Sequence, residues 1–551
     1  MTGPGRPQRA VPFGDRALLV ATADTPAAHD LARAIRRHGD AGSVPGEVEE
    51  VVVGVAGVLV VLDGDPDRGR PEAVASWLDG IAGAPTGSAA PAAGPTSHRE
   101  HVLPVVFDGA DLEEVASRVD GGVDRVVDLV VGARLTVAIV GFAPGFPYLT
   151  GLPPALAVLP RRRTPRTTVP AGSVAVGGGY ASVYPRATPG GWHLLGRTGE
   201  PLFDPAVAPY SRVAPGDRVR FVAVADGPSA PPDPTVRPLL GASPPCLEVV
   251  EPGLATTVQD GGRRGVAHLG VPAAGAADSR SAALANLLVG NEPTAAVLEC
   301  TAAGPTVAVL GDARIAVVGA GPVDVAVDGR AVPDRAVLPV ADGQLVRIGR
   351  MAAGLRAYLA VAGGLATPAL FGSRSSDTLT GLGPGPLRAG DRLALGPAGP
   401  SRGGLPEVVR RPGPTVLRVV PGPHGTADGL TASGWEVGAD VDRIGLRLTA
   451  VSGPGIDGGP PRPSTPMVTG AVQVPPDGRP IVLLPDHATV GGYPVVACVA
   501  TVDLPLLGQL APGDRVAFEA VDASTAATLA RHARDAAAAG VTGWFPTRAG
   551  T

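Results

Sequence analysis

Gly172-Ser-Val-Ala-Val176, Thr188-Pro-Gly-Gly-Trp192 and Pro215-Gly-Asp-Arg-Val219 follow one another along the chain. The same series returns as Gly470-Ala-Val-Gln-Val474, Thr489-Val-Gly-Gly-Tyr493 and Pro512-Gly-Asp-Arg-Val516. An aromatic residue stands two places after each closing valine, at Phe221 and Phe518. Three matched blocks at similar spacing predict two copies of one module. The β-branched runs around them are short and punctuated by glycine and proline, the pattern of a barrel or sandwich of short strands. Ala389-Gly-Asp-Arg-Leu393 echoes the closing turn and predicts a further related hairpin in the second half. The expected fold class is mainly β, with a small α/β unit at the N-terminus.

A chain of 551 residues exceeds what one hydrophobic core organises. Residues 10–98 read as the small α/β domain, 99–223 as the first β-module, 224–245 as a Pro-rich linker, 246–523 as room for two further β units, and 524–551 as a helical tail. In the first unit, Asp24 and Pro26 predict the start of a helix running through Arg37. The Val-rich stretch 51–62 supplies strands, and Pro71 opens a second helix. Asp111 is expected to cap a short helix over 112–119. Asp278 and Gly290 bracket another over 278–288.

The formal net charge of −5 provides no basic field for nucleic acid or an anionic membrane. The longest apolar run, 51–62, is too short to span a bilayer. The N-terminal residues lack the apolar core of a signal peptide, so a cytoplasmic address is expected. Cys246, Cys300 and Cys498 are widely separated, which suits neither a disulfide framework nor a zinc site, and the nine histidines show no metal spacing. Every one of the 46 basic residues is arginine. Without lysine there is no biotin attachment point, no Schiff base and no phosphate loop closed by Gly-Lys-Ser/Thr.

Several groups could carry chemistry. Gly141-Phe-Ala-Pro-Gly-Phe-Pro-Tyr-Leu149 concentrates aromatic surface in a chain only 3% aromatic, and it reads as either a ligand wall or a buttress for the barrel end. Arg161, Arg162, Arg163 and Arg166 precede a Gly/Ser turn at Ser173. Such guanidinium forks suit an anion, although a charge run more often forms a solvated loop. The two Thr-x-Gly-Gly-aromatic blocks could admit a ligand to bare backbone beneath Trp192 or Tyr493, or could be tight hairpins with core aromatics. Thr257 and Gln259 share a strand face beside Asp260 and Arg263, a candidate polar pocket that Asp278 could join. Arg443 and Arg447 are expected on one strand face, to hold an anion or to face solvent. Asp260, Arg263, Asp278 and Arg443 are the candidates for catalysis. Arg166, Ser173, Trp192, Arg197, Thr257, Gln259, Arg374, Arg447, Gln473 and Tyr493 are the candidates for substrate or anion binding.

In order, GFAPGFPYLTGLP (141–153), RTTVPAGSVAVGG (166–178) and PGGWHLLGRT (189–198) resemble the B-subunit family of bacterial ATP-dependent 5-oxoprolinase, which also contains a sporulation-kinase inhibitor. PGLATTVQDGGRRG (252–265), LANLLVGN (284–291), YLAVAGGL (358–365), GSRSSD (372–377), DRIGLRL (442–448) and GGYPVVACVATVDL (491–504) resemble the C-subunit family. A similar tandem forms the carboxyltransferase region of urea carboxylase. The resemblance implies tandem cyclophilin-like β-barrels, ATP with magnesium, a separate 5-oxoprolinase A subunit, a small amide substrate and possible homo-oligomerisation. The reaction it implies is the ATP-driven opening of 5-oxoproline to glutamate. A carboxyltransferase role beside a biotin carboxylase, or regulation of a histidine kinase, is the alternative. The chain departs from the family pattern at Val130, Leu135, Gly385-Pro386 and Ile444.

Overall fold

The computed structural model describes residues 9–64, 68, 70–82, 98–227, 230–231, 243–400, 415–425 and 427–538. The Pro-rich stretch 224–245, most of the loop expected before residue 98 and the end of the C-terminal tail fall largely outside them.

At the N-terminus, β1 (Ala10–Pro12), β2 (Ala17–Ala21), β3 (Val48–Val53) and β4 (Gly57–Leu62) form an antiparallel sheet in the order β1-β2-β4-β3. Asp24 caps the helix Thr25–Asp40 by accepting from Ala27 N at 2.8 Å, and the helix Pro71–Ala82 lies beside it. Side chains of a strand alternate between the faces of its sheet. Leu18, Val20, Val51, Val58 and Val60 face the two helices and the outer wall of the first barrel. Leu19, Val52 and Leu59 pack against Met467, Leu483 and Cys498 of the second. The sheet is thus a wedge with both faces buried, which explains why 51–62 is almost continuously apolar.

The first barrel contains β5 (Glu100–Val105), β6 (Leu135–Val140), β7 (Pro147–Thr150), β8 (Arg166–Val169), β9 (Ser173–Gly177), β10 (Tyr180–Val183), β11 (Thr188–Gly190), β12 (His193–Arg197) and β13 (Arg218–Ala223). Its main sheet runs β12-β9-β10-β7-β6-β13-β5, and reciprocal bonds of 2.9 Å between Val106 and Arg197 bring its two ends together. β8 and β11 form a separate ribbon.

The middle unit holds β14 (Cys246–Glu251), β15 (Ala255–Gln259), β16 (Val297–Thr301), β17 (Thr306–Leu310), β18 (Ala313–Gly319), β19 (Val323–Val327), β20 (Arg330–Val332), β21 (Leu338–Val340), β22 (Leu345–Met351), β23 (Arg356–Val361) and β24 (Arg392–Ala394). They make a sheet in the order β20-β19-β22-β17-β14-β24 and another in the order β15-β16-β23-β18-β21. Leu247, Val309, Leu298, Val317 and Leu359 fill the space between the two sheets. The helix Ser279–Val289, capped by Asp278 and stopped by Gly290 at φ +85°, covers the opposite face of the second sheet through Ala285 and Leu288.

The last unit contains β25 (Thr415–Pro421), β26 (Gly434–Val441), β27 (Gly445–Ser452), β28 (Thr465–Pro466), β29 (Ala471–Gln473), β30 (Ile481–Leu483), β31 (Val490–Gly491), β32 (Val495–Val499) and β33 (Arg515–Ala520). It closes as β25-β32-β29-β30-β27-β26-β33, with β28 and β31 as a ribbon. Replacing each strand by its counterpart in the first barrel gives the same cyclic order, including the parallel first and last strands. The duplication read from the sequence is a duplication of topology, and the mainly β fold class with tandem barrels is the one observed.

The repeated turn phrase has one geometry in all three places. Gly216, Gly390 and Gly513 have φ between +85° and +92°, and their N–H groups donate to Val137, Val249 and Val437. The next aspartates, Asp217, Asp391 and Asp514, accept side-chain bonds from the amide three residues earlier at 3.0, 2.7 and 2.9 Å. Glycine reaches the left-handed backbone region and aspartate closes the turn, so both identities are required.

Candidate functional site

Three loops meet where the first barrel, the middle unit and the second barrel touch. The loop after β6 reaches into the second half of the chain: Phe142 N donates to Thr489 Oγ1 at 3.1 Å, and Gly145 N donates to Leu269 O at 3.0 Å. From the middle unit, Ala274 N donates to Pro485 O at 3.0 Å. A Cβ on Gly270 would lie 2.1 Å from Ala143 O, so this approach requires glycine. The aromatic loop is therefore core and dock together: Phe146 packs edge-on against Tyr148, Tyr184 and Trp192, while its backbone joins the two halves.

Under the junction lies a buried charge network. Arg443 donates Nε and Nη2 to Asp486 at 3.0 and 2.9 Å, Nη1 to Glu299 at 2.5 Å, and Nη2 to Gly275 O at 2.7 Å. Glu299 also pairs with Arg356 at 3.2 Å and accepts from Tyr358 Oη at 3.0 Å and Ala277 N at 2.8 Å. Burial alone would raise the Glu299 pKa, but Arg443 and Arg356 outweigh it and hold the carboxyl below its ordinary range. Asp486 accepts from Thr378 N at 2.8 Å and Thr378 Oγ1 at 2.7 Å. Two carboxylates and two guanidiniums balance, and the remaining lone pairs are largely used, as a buried ionic cluster requires.

Beside it, Asp260 organises the 373–375 segment, accepting from the Ser373 and Ser375 hydroxyls at 2.6 Å each and from Arg374 N at 2.6 Å. Arg263 is buried and donates Nη2 to Ser375 O, but its Nε and Nη1 have no partner. Burial pulls its pKa down, against Asp377, Asp260 and Asp486. Burial, reinforced by Asp486, pushes the Asp377 carboxyl up, despite hydrogen bonds from Thr380. Gln259 donates to Thr257 Oγ1 and Ser376 O at 3.0 Å, leaving its Oε1 without a partner. Asp278 is the N-cap of its helix and also accepts from Gln509 Nε2 at 2.8 Å.

A cavity of about 200 Å³ opens beside this junction, lined in part by Phe13, Asp15, Val52, Met467 and His487. Its walls come from the N-terminal wedge, the 263–273 segment and the second barrel. His487 sits between Asp486 and Thr489, both anchored as described. Histidine spacing gave no pointer to it, although Asp486-His487 just before the second Gly-Gly turn was visible in the sequence. Glu299 likewise carried a signal, as one acid inside the apolar strand β16.

The remaining candidates lie apart. Asp111 makes no cap for its helix, which covers Leu112–Ala116 and is shorter than expected. Its carboxylate instead accepts from Arg162 at 2.8 Å, Arg166 at 2.7 Å and Leu194 N at 2.7 Å. Burial raises its pKa, but Arg166 and the Leu194 amide win and the net shift is downward. Arg166 is therefore paired within the first barrel. Ser173 donates to Pro170 O at 2.7 Å, Trp192 is buried under Arg161, and Arg197 bonds Asp108 at 2.8 Å. Arg374 donates to Thr367 O, Gln473 Nε2 lies 3.4 Å from Met467 Sδ, and Tyr493 is half-buried. Arg443 and Arg447 do not share a strand face. β27 begins at Gly445, so Arg443 belongs to the buried turn before it, while Arg447 is exposed with Nη1 3.4 Å from Asp440 O. Among the described residues no group of three or more His, Cys, Asp or Glu side chains is placed to hold a metal, and no helix is long and apolar enough to cross a membrane.

Family models for the carboxyltransferase domain match this architecture, subdomains C and D over residues 8–213 and subdomains A and B over 269–520. The second half is 36% identical over 283 residues to the 5-oxoprolinase C subunit of Escherichia coli K12, spanning 49% of this chain and 90% of that protein. The first half is 48% identical over 128 residues to the 5-oxoprolinase B subunit of Escherichia coli O157:H7, spanning 23% of this chain and 58% of that protein. Similarity to urea amidolyase of Saccharomyces cerevisiae is 30% over 309 residues, 50% of this chain and 16% of that one. The crystal structure of TTHA0988 superposes with a TM-score of 0.78 at 36% identity, covering 92% of this chain and 99% of that one. The chain belongs to the carboxyltransferase-domain family that includes urea amidolyase and the B and C subunits of 5-oxoprolinase. Within it, a B-like half and a C-like half are joined, in that order, on one polypeptide.

Proposed function

We propose that this chain is the fused B/C component of an ATP-dependent 5-oxoprolinase, which opens 5-oxoproline to L-glutamate together with a separate A subunit. The observation that carries the reading is the junction: two halves, similar to the B and C subunits of that enzyme, dock through Phe142–Thr489 and Gly145–Leu269, with a cavity lined by both halves and, beside it, a charge network buried in the C-like half. An unactivated lactam is a poor electrophile, so ATP must supply a leaving group before water attacks. Four arginines near the candidate sites are already taken by carboxylates. Arg162 and Arg166 are committed to Asp111, Arg443 and Arg356 to Glu299, and lysine is absent. We propose that the A subunit provides the surface for ATP and its magnesium. Mixing the chain with the A subunit, then measuring ATP-dependent glutamate release from 5-oxoproline, tests the reading. Release is expected, and none from a complex shown to assemble would overturn it.

The carboxyltransferase family models favour a second reading, transfer of a carboxyl group from carboxybiotin to urea or a similar amide. In that case the carrier must be another chain, since this one has no lysine to bear biotin. Carboxylated urea formed from carboxybiotin, without glutamate release, would select it.

A further inference from the structure

The cavity between the N-terminal wedge, the 263–273 segment and the second barrel has a built-in proton acceptor. The Nδ1 atom of His487 lies 2.8 Å from the Ala488 carbonyl oxygen. A carbonyl only accepts, so Nδ1 carries the hydrogen of this bond. Burial disfavours the imidazolium, which holds the ring in its neutral form. The ring's lone pair is then on Nε2. Residues on both sides of His487 are fixed, Asp486 by Arg443 and Thr378 and Thr489 by Phe142 N, so the segment that carries the ring is anchored to three units.

The rest of the cavity restricts what can enter. Phe13, Val52, Leu59 and Met467 provide apolar wall. Among the cavity's charged lining groups, Glu49 pairs with Arg16 at 3.1 Å and with Arg264 at 3.5 Å and Glu50 accepts from His268 N at 3.1 Å, whereas Arg263 Nε and Nη1 and Asp15 Oδ2 have no hydrogen-bond partner in the described residues. A volume of about 200 Å³ is below the usual range for drug-sized ligands and too small for a nucleotide. The fitting group is small, has an apolar body and presents one N–H. We propose that this cavity binds the amide of a small amide substrate, a lactam ring above all, with its N–H donating to His487 Nε2. The assignment rests on the amide chemistry proposed above and gives that chemistry a location.

The test uses the full chain labelled with ¹⁵N-histidine, titrated with 5-oxoproline and with 2-pyrrolidinone, the same lactam without a carboxylate. Both probes are expected to shift the Nε2 resonance of one histidine of the nine, and that signal should be missing from His487→Gln. Calorimetry should show binding at least tenfold weaker in His487→Gln. Leu59→Trp, which fills the cavity from the N-terminal wedge, should abolish binding while His487 stays in place. Unchanged affinity in both variants, or no binding of either probe to the wild type, would overturn the site. The site and the functional reading fail separately. Glutamate release at the wild-type rate by His487→Gln in the presence of the A subunit would remove the site alone. Lactam binding by a wild-type complex that releases no glutamate would remove the functional reading alone.

Discussion

Arg443 grips Asp486 through two nitrogens, at 2.9 and 3.0 Å, and turns its third toward Glu299, so that one side chain fastens the second barrel to the middle unit. Both carboxylates are buried, and Arg443 and Arg356 offset their charge. Arg443→Met should therefore cost about 3–5 kcal/mol, because it strands buried charge rather than merely deleting a contact. A lowered denaturation midpoint is the readout, and a variant as stable as the wild type would refute the claim that the cluster holds the junction.

Asp377 predicts a pH dependence. Its carboxyl is raised by burial, so the folded state binds the proton more tightly than the unfolded chain does. The contribution to stability is greatest below the ordinary carboxylate range and declines as pH rises from about 4 toward 7. Asp377→Asn, which cannot ionise, should flatten that part of the stability profile. An identical slope in the variant and the wild type would show that Asp377 ionises in the folded protein as it does in water.

Two glycines separate backbone strain from contact. Gly265 has φ +72°, and a Cβ added there would meet nothing within 4 Å, whereas one on Gly270, at φ +81°, would meet Ala143 O at 2.1 Å. Gly265→Ala should cost about 1–2 kcal/mol, the strain of a left-handed alanine. Gly270→Ala should cost more and should speed hydrogen exchange at Phe142, whose amide is held by Thr489. Equal effects from both substitutions would argue against a tight dock between the halves.

Arg161 links the first duplicated turn to Ser464, the residue before β28 in the second half. Its guanidinium carbon is 5.7 Å from the Trp192 ring centroid, and Nη2 donates to Ser464 Oγ at 3.1 Å. Arg161→Ala should destabilise by about 0.5–2 kcal/mol and alter the emission of Trp192. Unaltered emission and stability would mean the contact is incidental.

Much of the fold was legible because its punctuation is chemical. The Gly-Asp turns at 216–217, 390–391 and 513–514, and the caps at Asp24 and Asp278, demand particular residues, and the residues are there. The N-terminal wedge was not legible in the same way. A run buried on both faces has lost the alternation that would say what each face touches. Phase was also lost at Arg443: alternation carried back from β27 places it with Arg447, but the strand starts two residues later, at Gly445. Asp260, Arg263, Asp278 and Arg443 gather around the junction from distant parts of the chain. Glu299, Asp377 and His487, which complete that neighbourhood, lie in three separate segments, the apolar strand β16, the GSRSSD motif and the Asp486-His487 turn, and only the tertiary fold brings them together. Asp111 shows the opposite failure, since a capping position in sequence became an anchor for two arginines in space.

The most direct test of the account is stoichiometry: phosphate released from ATP against glutamate formed from 5-oxoproline, with this chain and the A subunit present together and then each alone. The account predicts equal amounts of both products in the complete mixture and no glutamate when either protein is omitted. Glutamate formed by the A subunit on its own, or ATP consumed by the complete mixture with the lactam left closed, would contradict it.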